Sequence, residues 1–203
     1  MNISRKATVG AFAATLLITA GCAKPPQEAI DGTRATLEGA QKAGSVEWAA
    51  QEWEAAQDAM DAVNAELELQ EAKMAIARSY KETERLVSEA ATKATAAEAA
   101  AVANKEAARV AANDDLEAAR SALASAQTLA TELQACPRKP KGFAADMELM
   151  TGSLTTLAEG LAPIESSLAS EDYLGVSTEA RALQAQIETL VADMQAAKTK
   201  IGC

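Results

Sequence analysis

Apolar residues recur at alternating spacings of three and four along three long segments, which is the heptad period of packed helices. The first segment carries Val46, Ala49, Trp53, Ala56, Met60, Val63 and Leu67. The second carries Phe143, Met147, Met150, Leu154, Leu157, Leu161, Ile164 and Leu168. The third carries Tyr173, Val176, Ala180, Leu183, Ile187, Leu190, Met194, Ala197 and Ile201. Period-2 alternation of β-branched residues is lacking, so the pattern predicts an all-α protein.

Turn-forming residues divide this pattern into helices. A first helix is expected over 28–42, and Ser45 is a suitable N-cap for a second. A run of 92 residues that starts at Ser45 contains no Gly or Pro. Within it we place a turn at 71–79, because the sequence before the aromatic Tyr80 resembles the link in TPR-like hairpins. One long helix over 80–135 then follows, with cap-prone residues at 113–115 where it could break.

The middle of the long helix is unusually rich in alanine. Residues 88–112 include 13 Ala in 25 positions, and Val102 and Val110 are the only larger aliphatic residues there. Alanine buries little area but permits close helix approach. We expect a thin, partly exposed connector, and a specific interface of closely packed alanines is the alternative.

The second half of the sequence predicts a three-helix bundle that a disulfide closes at one end. A further stripe on the long helix comprises Leu116, Ala119, Leu123, Ala126 and Leu133. The loop over 136–142 and the short turn at 170–172 make the last helices an antiparallel hairpin, with a kink near Gly160 and Pro163. This topology brings Cys136 and Cys203 to the same end. We therefore predict a disulfide, worth about 4 kcal/mol on the chain-entropy account, with reactive thiols as the alternative.

The complete prediction is an elongated antiparallel helical bundle, in which two three-helix bundles share one long central helix. The first bundle is assigned to residues 28–112 and the second to residues 113–203.

The first residues have the pattern of a secretory signal. Residues 1–21 contain a short basic region and an apolar run of 14, which is too short for a permanent membrane span. The sequence Ile-Thr-Ala-Gly-Cys that ends at Cys22 resembles the lipobox of bacterial lipoproteins. This resemblance implies a lipid-modified Cys22 on a tether over 22–27. At the position after the lipid-modified Cys, an Asp would signal retention in the inner membrane. This sequence has Ala23 there, so the resemblance implies the outer membrane, facing the periplasm. An ordinary secreted protein is the alternative.

A second resemblance covers roughly residues 27–105. The small-residue turn over 43–45, the segment from Trp48 to Trp53 and the Ser79-Tyr80 pair resemble Ala-rich helical domains of unknown function in bacterial envelope lipoproteins. Some members carry a separate OmpA-type peptidoglycan-binding domain. No segment of this sequence resembles such a domain, so a peptidoglycan role is not inherited from the resemblance.

The amino-acid composition excludes several classes of catalytic and binding site. The chain contains no His, which excludes His-based acid–base and nucleophile systems and the usual zinc and di-iron sites. Its formal net charge of -10 makes it a poor partner for nucleic acid. Calcium-loop, phosphate-loop and dinucleotide motifs are lacking. We therefore expect no enzymatic activity, no cofactor and no bound metal.

Two features are candidate contact surfaces. Trp48 lies off the heptad pattern, where it either packs on the first helix or anchors a partner. Arg138, Lys139 and Lys141 place three cations within four residues of an acidic protein. They form either a solubilising turn or a contact with an anionic surface, and the predicted topology puts them opposite the lipid.

These features predict a lipid-anchored, periplasm-facing structural or interaction protein of the bacterial envelope. Its partners would be the membrane, through the lipid, and an envelope protein, peptidoglycan or a second copy of the chain. The alternatives are a helical lipoprotein that binds a small ligand and a coiled-coil lipoprotein that assembles with itself.

Overall fold

The computed structural model of the chain describes residues 24–203, and the predicted leader and Cys22 lie outside this range. The described residues form helices α1 Gln27–Lys42, α2 Ser45–Trp48, α3 Ala50–Glu71, α4 Lys81–Ala135, α5 Phe143–Glu159, α6 Leu161–Ala169 and α7 Tyr173–Ile201. A short 3-10 turn, Ala75–Ala77, lies between α3 and α4, and no strand occurs in this part of the chain. The prediction of two three-helix bundles on one long helix is confirmed.

Helix α4 is continuous over its 55 residues and is therefore about 80 Å long. The break considered at 113–115 does not occur, and two side chains there make contacts that are compatible with the continuous helix. The Asn113 amide donates to the carbonyl oxygen of Arg109 at 2.7 Å. The Asp115 carboxylate accepts from the Arg181 guanidinium of α7 at 3.0 Å.

The first bundle places α1 parallel and α3 antiparallel to the first half of α4. Near the start of α4, Ile30 of α1 belongs to the same core cluster as Val87 and Ala90, together with Met60 and Val63 of α3. Farther along α4, a second cluster joins Ala40 of α1 and Ala56 of α3 to two alanines of α4, Ala94 and Ala97.

The Ala-rich part of α4 divides into a packed and an exposed half. Ala90, Ala94 and Ala97 are 0% exposed, because α1 and α3 pack against these small side chains, and Ala101 is also 0% exposed. The expectation of a thin, partly exposed connector does not describe the buried face of this half, where the alternative of close alanine packing holds. After Ala101 the expectation of a partly exposed connector holds at Val102 and Val110, which are 58% and 45% exposed, until Ala112 is again buried in the second core.

The second helix starts differently from the prediction. Gly44, in the left-handed region with φ 86°, precedes α2, and Ser45 is not its N-cap. The Ser45 hydroxyl is buried and donates toward the carbonyl oxygens of Ala40 at 2.7 Å and Ala97 at 3.0 Å. Ala49 (φ −148°, ψ 49°) separates α2 from α3. This break turns Val46 out of the heptad pattern, and its side chain is 56% exposed.

The second bundle packs α5, α6 and α7 on the remainder of α4. Helix α7 runs parallel to α4, because three pairs link the two helices at a constant offset of 66 residues: Lys105–Glu171, Arg181–Asp115 and Lys198–Glu132. Gly160 separates α5 from α6, which confirms the predicted kink. Asp172 caps α7 by accepting from the Gly175 amide at 3.0 Å.

Large apolar side chains fill this second core, as the heptad pattern predicts. The core includes Leu116, Leu123, Leu133, Met147, Leu154, Ile164, Val176, Leu183, Ile187 and Met194. Heptad residues such as Met147, Ile164 and Ile187 therefore face one another inside the chain, whereas Met150 and Leu157 are half-buried.

Candidate interaction surfaces

The disulfide predicted between Cys136 and Cys203 is present, with a Cα–Cα distance of 5.9 Å. It joins the end of α4 to the end of α7. Cys136 is buried in the second core, so the bridge closes the bundle at this end.

The three cations that follow Cys136 are here called the basic loop: Arg138, Lys139 and Lys141. The Arg138 guanidinium donates to the carbonyl oxygen of Ile201 at 3.1 Å and so ties the loop to the end of α7. Lys139 and Lys141 are exposed, and within the described residues none of the three cations pairs with a carboxylate. Two lysines are thus free to bind an anion, whereas Arg138 also has a structural contact.

A cavity of about 250 Å³ opens beside the basic loop, between the start of α5 and the end of α7. This end cavity has apolar walls, to which Phe143, Met147, Met150, Ala197 and Ile201 contribute. Its polar lining comprises Lys141, Lys200 and Asp146. Two ammonium groups against one carboxylate favour an anion at its mouth.

Trp48 lies at the junction of the two bundles. Its ring packs on Tyr173, the first residue of α7, with ring centroids 6.4 Å apart. The Asn104 amide of α4 donates to the Trp48 carbonyl oxygen at 2.6 Å. Trp48 is half-buried and packs against the second core.

A charged pair completes the junction beside these rings. The Lys105 ammonium lies 2.7 Å from the Glu171 carboxylate. This hydrogen bond lowers the pKa of Glu171 and raises the pKa of Lys105. Sequence reasoning found Trp48 but missed Asn104, Lys105 and Glu171, because no local pattern relates residues about 60 positions apart.

The opposite tip of the molecule is the α3–α4 turn, residues 72–80. Met74 and Ile76 in this turn are 74% and 90% exposed, which makes them the most exposed large apolar side chains in residues 24–203. The predicted turn at 71–79 is therefore confirmed, and it points apolar side chains into solvent. The start of α1 lies nearby, because Ala29 and Gly32 lie against Glu84 and Ser88 of α4.

Two further properties concern the whole described segment. No helix in residues 24–203 combines the length and apolar character that a membrane span requires. The same segment has no group of three or more His, Cys, Asp or Glu side chains arranged to hold a metal ion.

The chain matches no protein-family model, no curated protein and no solved structure.

Proposed function

We propose that the protein is a lipid-anchored helical rod of the bacterial envelope, with no chemistry of its own. Lipid on Cys22 holds one end at a membrane that faces the periplasm, and the basic loop at the other end contacts an anionic component of the envelope. The carboxylates of peptidoglycan are the anionic surface to which we assign the loop.

The observation that carries this proposal is the placement of the two ends. Helix α1 starts beside the first turns of α4, and the basic loop follows the last turn of the same helix. Because α4 is continuous over 55 residues, about 80 Å separates the predicted tether from the basic loop. A rigid rod of this length keeps its far end away from the membrane that holds the near end.

Charge supports the assignment of the basic loop. The chain has a formal net charge of -10, so most of its surface repels an anionic polymer. The loop is a local exception in which Lys139 and Lys141 are exposed. Contacts of exposed charges weaken with salt, because the screening length falls from about 10 Å at 0.1 M to about 3 Å at 1 M ionic strength.

Co-sedimentation of residues 24–203 with purified sacculi tests the proposal. We expect binding at low salt, lost at high salt, and a several-fold reduction in the variant Lys139→Glu/Lys141→Glu. Arg138 is kept in this variant because it holds the end of α7. The matched control, Lys73→Glu/Lys81→Glu, changes the net charge equally at the opposite end and should bind normally. Absence of binding, or equal losses in both variants, would contradict the proposal.

The end cavity favours a second candidate, a protein that binds a small amphipathic anion. Its volume of about 250 Å³ is just below that of drug-sized ligand sites, which suits an alkyl carboxylate of medium chain length. Titration calorimetry with decanoate should show saturable binding that weakens in Lys141→Gln. Lys139→Gln is the matched control, since Lys139 does not line the cavity. Equal binding by all three proteins would exclude this site.

A further inference from the structure

The α3–α4 turn exposes apolar side chains that nothing in the described chain covers. Ile76 is 90% exposed and Met74 is 74% exposed, and Leu69 on the last part of α3 adds a third side chain at 60%. Water-exposed apolar area of this kind is typical of a surface that meets a partner or a membrane.

Polar contacts hold this turn in one conformation. The Arg78 guanidinium donates to the carbonyl oxygens of Glu71 at 3.0 Å and Lys73 at 3.1 Å. The Ser79 amide donates to the side-chain oxygen of Gln70 at 2.9 Å, and Gln70 is itself buried. Met74 and Ile76 are thus presented by a braced loop, and binding through them requires little further ordering of the backbone.

The described part of the chain begins at this tip. Helix α1 starts at Gln27 and packs against the first turns of α4, next to the α3–α4 turn. Four residues separate Cys22 from Gln27, and they reach at most about 17 Å from one Cα to the other when fully extended. A lipid on Cys22 would therefore hold this tip within reach of the bilayer surface.

The charge of the turn fits the same partner. Residues 72–81 contain Lys73, Arg78 and Lys81 and no carboxylate, although Glu71 and Glu82 flank them. Cations beside apolar side chains are typical of segments that lie in the interface of an anionic membrane.

We infer that the α3–α4 turn is a membrane-contact site, at which Met74 and Ile76 insert into the interface of a bilayer containing anionic phospholipid. This inference rests on the proposed anchoring of the same end by lipid. The turn and the lipid together would give the rod two attachment points and so fix its direction relative to the membrane.

The test uses residues 24–203 attached to vesicles through an N-terminal histidine tag and a nickel-chelating lipid. The artificial tether replaces the lipid on Cys22, so the result does not depend on natural lipidation. An environment-sensitive fluorophore is placed on Ile76→Cys, and a matched control carries it on Leu149→Cys. In the unaltered chain Leu149 is 72% exposed, and it lies on α5 in the second bundle. The vesicles contain phosphatidylethanolamine and phosphatidylglycerol.

On the vesicles, we expect the fluorescence emission from position 76 to shift to shorter wavelengths. Spin-labelled lipid should quench this emission several-fold more than the emission from position 149. In the Ile76→Cys background, Lys73→Glu/Lys81→Glu should reduce this shift and Lys139→Glu/Lys141→Glu should not. Identical spectra at positions 76 and 149 would overturn the inference. That result would not bear on sacculus binding, which concerns the opposite end of the molecule. Conversely, a failure to bind sacculi would not affect the result at position 76.

Discussion

The two bundles share α4 but fill their cores with different side chains. The second core is built from leucine, isoleucine, valine and methionine and is closed by a disulfide. The first core has a few large residues near the tip and otherwise alanine against alanine. Buried apolar area stabilises in proportion to its size, so the alanine packing contributes less by transfer from water and depends more on close fit. The comparison indicates that the second bundle is the more stable region and that the first is the more sensitive to added volume.

The largest effect is expected from removing the disulfide. Cys136→Ser/Cys203→Ser opens a link across a sequence separation of 67, which should lower the free energy of unfolding of the second bundle by about 4 kcal/mol. Hydrogen exchange resolved by segment tests this loss of stability, which should appear as faster amide exchange in α7 of the variant than in α7 of the unaltered chain. Equal acceleration in α1 and α3 would show that the two bundles unfold as one unit.

Added volume should destabilise the first bundle next most strongly. Ala94→Leu inserts three heavy atoms where the side chain is 0% exposed, and overpacking of this kind costs about 3 kcal/mol. Ala96→Leu, on the exposed side of the same stretch, is the matched control and should be nearly neutral. Chemical denaturation of the two variants compares them, and equal stabilities would contradict close alanine packing.

Truncation of Trp48 should loosen the contact between the bundles. Trp48→Ala removes the ring that packs on Tyr173, and because Trp48 is half-buried we expect a loss of about 2 kcal/mol. Hydrogen exchange should accelerate both in α2 and at the start of α7. Trp53→Ala is the control, since Trp53 packs on the first core alone, and it should leave α7 unchanged. A response of α2 alone in Trp48→Ala would show that the rings do not couple the bundles.

The smallest effect is a pH dependence in the second bundle. The hydrogen bond from Arg181 lowers the pKa of Asp115 below its ordinary value of 3.8, the Ser177 hydroxyl adds to this effect, and burial opposes it. A lowered pKa in the folded state stabilises the fold above 3.8, and this stabilisation is lost as pH falls through the lower value. Denaturation midpoints at pH 7 and pH 3 should therefore differ less in Asp115→Asn than in the unaltered chain. The same difference in both would exclude a contribution from this pair.

The sequence predicted the second bundle more completely than the first. Large apolar residues at heptad spacing identify the core face of a helix directly, and residues such as Met147, Ile187 and Met194 are buried as expected. The disulfide followed from topology alone, because short connections fix the direction of each helix. Alanine gives no comparable signal, since it is equally common on buried and exposed faces, and for this reason the close packing at Ala94 and Ala97 was predicted only as the alternative.

Local rules also failed where distant residues decide the structure. Ser45 is of a residue type that is common at N-caps, but its hydroxyl donates to the carbonyl oxygen of Ala97 in another helix. Trp48 was recognised as lying off the heptad pattern, but its partner Tyr173 is separated from it by most of the chain. The basic loop was placed correctly at the end of the bundle, whereas the exposed side chains of Met74 and Ile76 were not recognised as a surface.

The separation of the two ends is most directly tested by the length of α4 in solution. Fluorophores on Lys81→Cys and Gln134→Cys mark its ends, and single-molecule energy transfer reports the distance between them while Cys136 and Cys203 remain bridged. A continuous helix predicts about 80 Å. A distance below about 50 Å would mean that α4 folds back near Asn113, since helix length follows a rise of about 1.5 Å per residue. The end that we propose faces the membrane and the basic loop would then no longer lie at opposite ends of a rod about 80 Å long, and the proposed function would be wrong.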